Sequence, residues 1–206
     1  MISRRHRSEF VNVDALIDAR GEPLDEREQD SVIGEFVALS VEQHRTWRSV
    51  IGWGVLCAAL FFAFAAWSQH VEPYGVRYTG ELRSATRPHA VTAALGLQAV
   101  SLLAAAAALL ANLPQRLPPD ATLPSSSPPA LAAPWQRAAL WGGVLGAAAG
   151  AAYWGAALHG SRLELLWLPA GPLVACLLAV YVTRMLADTG REIQRLQAYR
   201  YRYKKV

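Results

Sequence analysis

The sequence predicts an all-α fold: a polytopic membrane protein built as a four-transmembrane-helix bundle with cytosolic N- and C-terminal helices. Three observations carry that expectation. Four runs, Ser49–Val71, Pro88–Gln115, Ala138–Ser161 and Leu165–Thr183, contain no Asp, Glu, Lys or Arg, and about 20 predominantly apolar residues are enough to span a bilayer. The basic residues are also lopsided. Sixteen lie before the first run, between the second and third, or after the fourth, and only Arg77, Arg83, Arg87 and Arg162 lie on the other side. Positive charge is retained on the cytoplasmic side, so the asymmetry predicts both termini inside. Finally, Trp47, Trp67, Trp135, Trp141, Trp154 and Trp167 fall near the ends of the runs, where amphipathic rings suit a membrane interface.

Composition narrows the function. With 206 residues and about half of them in spans, no large soluble catalytic domain fits beside the bundle. A net charge of +4 invites a nucleic-acid reading, but the basic residues gather at helix ends, so no nucleic acid is expected. Cys57 and Cys176 stand alone, without a C-x-x-C pair or a neighbouring His or carboxylate. They read as small packing residues, and neither a cofactor nor a metal is expected. No cleavable targeting segment is expected either, because the first apolar run starts only at residue 49; the first span would serve as an uncleaved anchor.

Along the chain, residues 1–23 read as a disordered cytosolic terminus. Residues 24–48 read as an acidic amphipathic cytosolic helix, opened by Asp25 and Glu28 at capping-box spacing. Its apolar stripe, Val32, Ile33, Phe36 and Val37, is a candidate docking face, either for the bundle itself or for a partner protein. The bundle covers residues 49–187, with spans near 49–68, 89–112, 138–158 and 163–186. In the second span Gln98 and Ser101 are polar and expected to hydrogen-bond across helices. The connector 113–136 holds seven of the twelve prolines and Ser125–Ser127, a composition that builds no core.

The third span carries the most specific packing signal. Gly142, Gly146 and Gly150 repeat every four residues, beside a second row that includes Gly143 and Gly155. Stacked small residues let helix backbones approach closely in lipid. In the fourth span, opened by Ser161 and Glu164 at capping-box spacing, Pro169, Gly171 and Pro172 mark a kink nearer the outer end than the midplane. Residues 188–206 continue as a basic cytosolic helix. Its Arg191, Arg195, Arg200, Arg202, Lys204 and Lys205 suit anionic headgroups of the cytoplasmic leaflet.

Arg4–Arg5 near the start and Lys204 third from the end resemble retrieval signals of endoplasmic-reticulum membrane proteins. The expected location is that membrane in a eukaryote and the inner membrane in a bacterium. Between the charged groups at their ends the spans hold no carboxylate or base, and HExxH, aspartyl and Ser-plus-His patterns are missing, so an enzyme is not expected. The function expected is a membrane-embedded interaction, assembly or scaffold subunit, with other membrane proteins and lipid as partners. The alternative is a small transporter or oligomeric channel for an uncharged solute.

Overall fold

The computed structural model describes residues 26–75, 83, 86–111, 113, 133–158 and 165–203, with side chains between Gly34 and Glu192 and at Arg195. The described residues form four α-helices and no strand: α1 (Glu26–Val71), α2 (Pro88–Leu110), α3 (Pro134–Ala157) and α4 (Trp167–Tyr203). Three segments are long and apolar enough to cross a membrane, Gly34–Val71 in α1, Pro88–Leu110 and Trp167–Glu192 in α4. That is compatible with an integral membrane protein. Helix α3 falls short of that mark because Gln136, Arg137, Tyr153 and three tryptophans dilute its alanines and glycines.

Helix α2 is the centre of the bundle and packs against each of the other three helices. Its composition explains the position. Alanine and leucine dominate, alanine leaves room for close neighbours, and both are strong helix formers. Pro88 starts the helix at its first position, where a missing N–H costs nothing. Helices α1 and α3 run antiparallel to α2 and α4 runs parallel to it.

The acidic helix and the first span expected from the sequence are one unbroken helix of 46 residues. That continuity decides which face turns inward. His44, Arg48, Ile51, Val55, Ala58, Phe62, Ala65 and Gln69 alternate at spacings of four and three along the buried or half-buried side. A seven-residue repeat of this kind keeps one helix seam against its neighbour under a left-handed crossing. The extension before residue 48 cannot rotate independently of it. Ser40 and His44 therefore face inward, 6% and 7% exposed, beside the α4 backbone near Leu186.

Two residues of the candidate docking stripe have described side chains. Phe36 is 48% exposed and Val37 only half-buried, while Val32 and Ile33 lie outside the residues whose side chains are described. Phe36 is turned from the inner face because the apolar segment that follows Arg48 in the same helix fixes the register, so it does not pack on the bundle. Ser40 Oγ and His44 Nε2 are buried there without a hydrogen-bond partner. Asp25, the expected cap, lies outside the described residues.

The fourth helix also differs from expectation. It starts at Trp167, after a single turn at Leu165–Leu166, not near residue 163; the Ser161–Glu164 capping pattern lies outside the described residues. Pro169 thus sits in the first turn, where the backbone N–H would have no intrahelical partner anyway. Only Pro172 lies inside the helix, and its missing N–H releases the Leu168 carbonyl four residues back.

At the far end of α2 the chain turns away at Ala111 in an extended conformation, leaving the last carbonyls free. Side chains from two other helices take them. Arg48 donates from Nε to Leu109 O (3.0 Å) and from Nη2 to Ala108 O (3.1 Å) and Ala111 O (2.8 Å). Gln136 donates from Nε2 to Ala111 O (3.1 Å), and its Oε1 accepts from Ala133 N (2.9 Å), closing the start of α3. A guanidinium here also matches the negative end of the helix dipole. Close approach of α1 is allowed by Gly52, where a methyl group would stand 2.7 Å from the Leu110 side chain.

Arg48→Ala leaves the Leu109 carbonyl unpaired in half-buried surroundings. It should destabilise the protein by about 1–3 kcal/mol. Arg48→Lys should recover only part of this, since one ammonium cannot serve three carbonyls in a fork. Thermal unfolding in detergent, followed by circular dichroism, checks both.

Candidate functional site

The polar chemistry buried deepest in the bundle lies where α2, α3 and α4 meet. Gln98, midway along α2, is fully buried. Its Nε2 donates to Leu168 O at 2.8 Å, and its Oε1 accepts from Trp154 Nε1 at 3.2 Å. The Leu168 carbonyl is the one that Pro172 releases, so a glutamine on a neighbouring helix replaces the hydrogen bond that proline deletes. The acceptor half of the same amide satisfies the only polar atom of a tryptophan that is 0% exposed. Gln98 and Pro172 read as separate features in sequence, one as packing glue and one as a kink. In the fold they are two sides of a single junction.

Trp154 was expected near an interface; it is instead enclosed between helices, and the indole N–H explains why it tolerates that place. The level of the junction is also a correction. Pro172 lies deep in the bundle, level with the middle of α2, because α4 begins at Trp167. Pro169 is buried in the first turn, whereas a methyl group at Gly171 would meet nothing.

The glycines of α3 make the junction possible, but not in the two straight rows the spacing suggests. A methyl group at Gly143 would stand 2.8 Å from the Ser101 carbonyl, and one at Gly150 would stand 2.9 Å from Gln98 Cγ. One at Gly146 would collide with the Ser101 hydroxyl. Those three, with the fully buried Ala147, form the shallow face on which α2 rests. Gly142 and Gly155 open away from the other helices, with nothing near a methyl group at either. The reason is helical geometry: a step of four residues overshoots one turn by about 40°. A row at strict four-residue spacing therefore winds around the helix: the first enters the contact after Gly142, and the second leaves it before Gly155.

One turn along α2, Ser101 donates to Leu97 O at 2.7 Å, and its own carbonyl faces the buried Cys176 thiol at 3.9 Å. Cys57 is exposed on α1, so the two cysteines are not partners. Among the described residues, no three His, Cys, Asp or Glu side chains gather where a metal ion would be held.

At the C-terminal end of α1, Gln69 Oε1 accepts from Tyr74 N (3.2 Å), and the Tyr74 hydroxyl donates to Thr86 O. Tyr74 has φ 63°, a left-handed conformation that costs a non-glycine residue about 1–2 kcal/mol. These bonds hold the turn that carries the chain from α1 towards α2.

The basic candidates separate as well. Arg191 is exposed and pairs with Asp188 at 3.0 Å, and Arg195 is exposed. The side chains of Arg200 and Arg202, and all of Lys204 and Lys205, lie outside the described residues. Arg184 stacks over the Trp141 ring, 5.3 Å from its centroid. Three functional residues escaped the sequence reading: Arg48, Gln136 and Trp154. A usable signal existed for two of them. Arg48 and Gln136 stand just outside uncharged runs, each within reach of a helix end that lacks a capping glycine.

The fold and the junction define a helical protein with three membrane-length apolar helices, locked together by buried amide and indole groups. Compared with known proteins, the chain matches no family model, no curated protein and no solved structure.

Gln98→Leu strands both the Trp154 N–H and the Leu168 carbonyl and should cost about 2–4 kcal/mol. In a Pro172→Ala background the new Ala N–H serves Leu168 O, so the cost of Gln98→Leu should fall by about 1–2 kcal/mol. A double-mutant cycle of unfolding free energies measures the coupling. Gly146→Leu should separate α3 from α2 and lower the unfolding temperature by several degrees, whereas Gly142→Leu should leave it nearly unchanged. Parallel melting curves make that comparison.

Proposed function

We propose that the protein is a membrane-embedded interaction subunit: an anchored bundle that holds other membrane proteins, and lipid at its basic end, in an assembly. In this reading all four helices span. Helix α3 is the fourth, supported by its packing against α2 and α4 and by 24 residues that reach about 36 Å. Both termini face the cytoplasm, by the arginine asymmetry. The membrane is that of the endoplasmic reticulum in a eukaryote and the inner membrane in a bacterium.

One observation carries the proposal. The buried polar side chains of the junction and of the α2 end are committed to backbone carbonyls and to each other: Gln98 to Leu168 and Trp154, Arg48 and Gln136 to α2. Groups so engaged hold helices in place and are not presented to a substrate. The long extensions of α1 and α4, by contrast, offer exposed side chains beyond the end of α2. Arg191 and Arg195 on α4 suit anionic headgroups, and Phe36 and Leu39 on α1 suit a protein surface.

Purification of the tagged protein in mild detergent, followed by mass spectrometry, should recover stoichiometric membrane-protein partners. A lone monomer in several detergents overturns the proposal. The competing transporter reading requires solute flux in liposomes that collapses in Gln98→Leu.

A further inference from the structure

At the end of the bundle where α3 begins, two helices expose cations that no described carboxylate takes up. Arg184 of α4 lies over the Trp141 ring of α3, 5.3 Å from its centroid. Arg137 stands one turn before Trp141 on the same face of α3. Both arginines are exposed, and neither pairs with a carboxylate among the described residues. The next acid along α4, Asp188, is held by Arg191 at 3.0 Å.

The backbone adds to the same imbalance. Helix α3 starts at Pro134 and has no acidic residue in its first turn. Its N-terminal N–H groups carry the positive end of the helix dipole, and Arg137 lies in that turn, a cation where a helix favours an anion. Helix α4 offers no compensation, because its own negative end lies far beyond, at Tyr203. A helix start and two guanidinium groups thus share one edge of the contact between α3 and α4.

Stacking leaves the Arg184 fork usable. The Trp141 face steadies the guanidinium plane, and the N–H groups lie at the edge of that plane, where they can donate to phosphate oxygens. Beside the charged groups the surface turns apolar. Leu145, one turn on from Trp141, is exposed on α3, and Tyr181 and Leu177, one and two turns back from Arg184, are exposed on α4. An anion that carries apolar chains fits both halves of this surface.

We propose that this edge binds one anionic phospholipid, its phosphate on Arg137 and Arg184 beside Trp141 and its acyl chains along Leu145, Tyr181 and Leu177. The inference rests on the reading of the protein as a membrane-embedded subunit with this end in the cytoplasmic leaflet, where anionic lipids collect. It gives that reading a defined lipid site within the bundle, apart from the α4 extension. Charge selects the occupant: a zwitterionic headgroup brings its own cation to two arginines, whereas a headgroup of net negative charge does not.

Native mass spectrometry of the full-length protein, purified in detergent and offered equal phosphatidylglycerol and phosphatidylcholine, should show phosphatidylglycerol retained in preference. Arg137→Gln with Arg184→Gln should lower that retention by about tenfold, two headgroup contacts being lost. Arg83→Gln with Arg87→Gln removes the same charge from exposed positions at the other end of α2 and should change nothing. Trp141→Leu, which unseats Arg184 but keeps both charges, should lower retention by a smaller factor. Phosphatidylglycerol should also raise the melting temperature of the unaltered protein and not that of the Arg137, Arg184 double variant. Without added lipid the two should melt alike, since both side chains are exposed.

Equal retention of the two lipids overturns the site. So does an equal loss in the Arg83, Arg87 variant, which signals attraction by net charge alone. Inorganic phosphate that raises the melting temperature as much as phosphatidylglycerol overturns the lipid in favour of a free anion. An acidic protein that leaves with the Arg137 and Arg184 charges overturns it in favour of a protein partner. Selective lipid retention without any membrane-protein partner supports the site and counts against the wider assembly; partners without selective retention do the reverse.

Discussion

A backbone carbonyl released inside an apolar bundle must find a donor, and water is not there to supply one. That requirement organises this protein. It is met at two places, both on α2. Gln98 reaches from the middle of α2 to the carbonyl that Pro172 frees in α4, and Arg48 and Gln136 reach in to the carbonyls freed where α2 ends. Each closure joins two different helices, so the same bonds that remove a desolvation penalty also set the helices' relative heights. Apolar contact alone is weakly specific about sliding, since alanine and leucine surfaces fit at many offsets. Directional hydrogen bonds admit one.

Close approach is the condition for those bonds. The Gln98 amide spans to two neighbours because Gly150 and Gly146 let α3 lie directly on α2, and Gly52 does the same for α1 near Leu110. The small-residue surface and the polar junction are therefore one device. Filling the glycine face would lengthen the distances on which the amide depends, and removing the amide would leave the glycine contact without a fixed register.

Much of the architecture was legible in the sequence. Uncharged runs marked the helices. Gln98, Gly146 and Gly150 stood out as packing residues for the reasons that hold in the fold. What the sequence could not convey was pairing between distant segments. Nothing local links Gln98 to Leu168, seventy residues apart, or shows that Trp154 turns inward. Continuity was hidden for a related reason: amphipathic analysis treated residues 24–48 as a separate helix, whereas one helix runs from Glu26 to Val71, and its apolar segment sets the rotation that leaves Phe36 exposed. The glycine rows erred by treating a four-residue step as a straight line.

Helix α4 has its start inside the bundle and its far end well outside. From Pro172 to Tyr203 it runs without another proline, a length of about 46 Å at 1.5 Å per residue. Proline loosens a helix at one point and leaves the rest stiff, so this segment is geometrically a lever with its fulcrum beside Gln98. A tilt of about 5° there sweeps the distal end through about 4 Å, the width of a side-chain contact. The buried amide thus sets the angle at which a basic arm is presented far from it, and small changes of packing at the fulcrum are read out, magnified, at the distal end of α4.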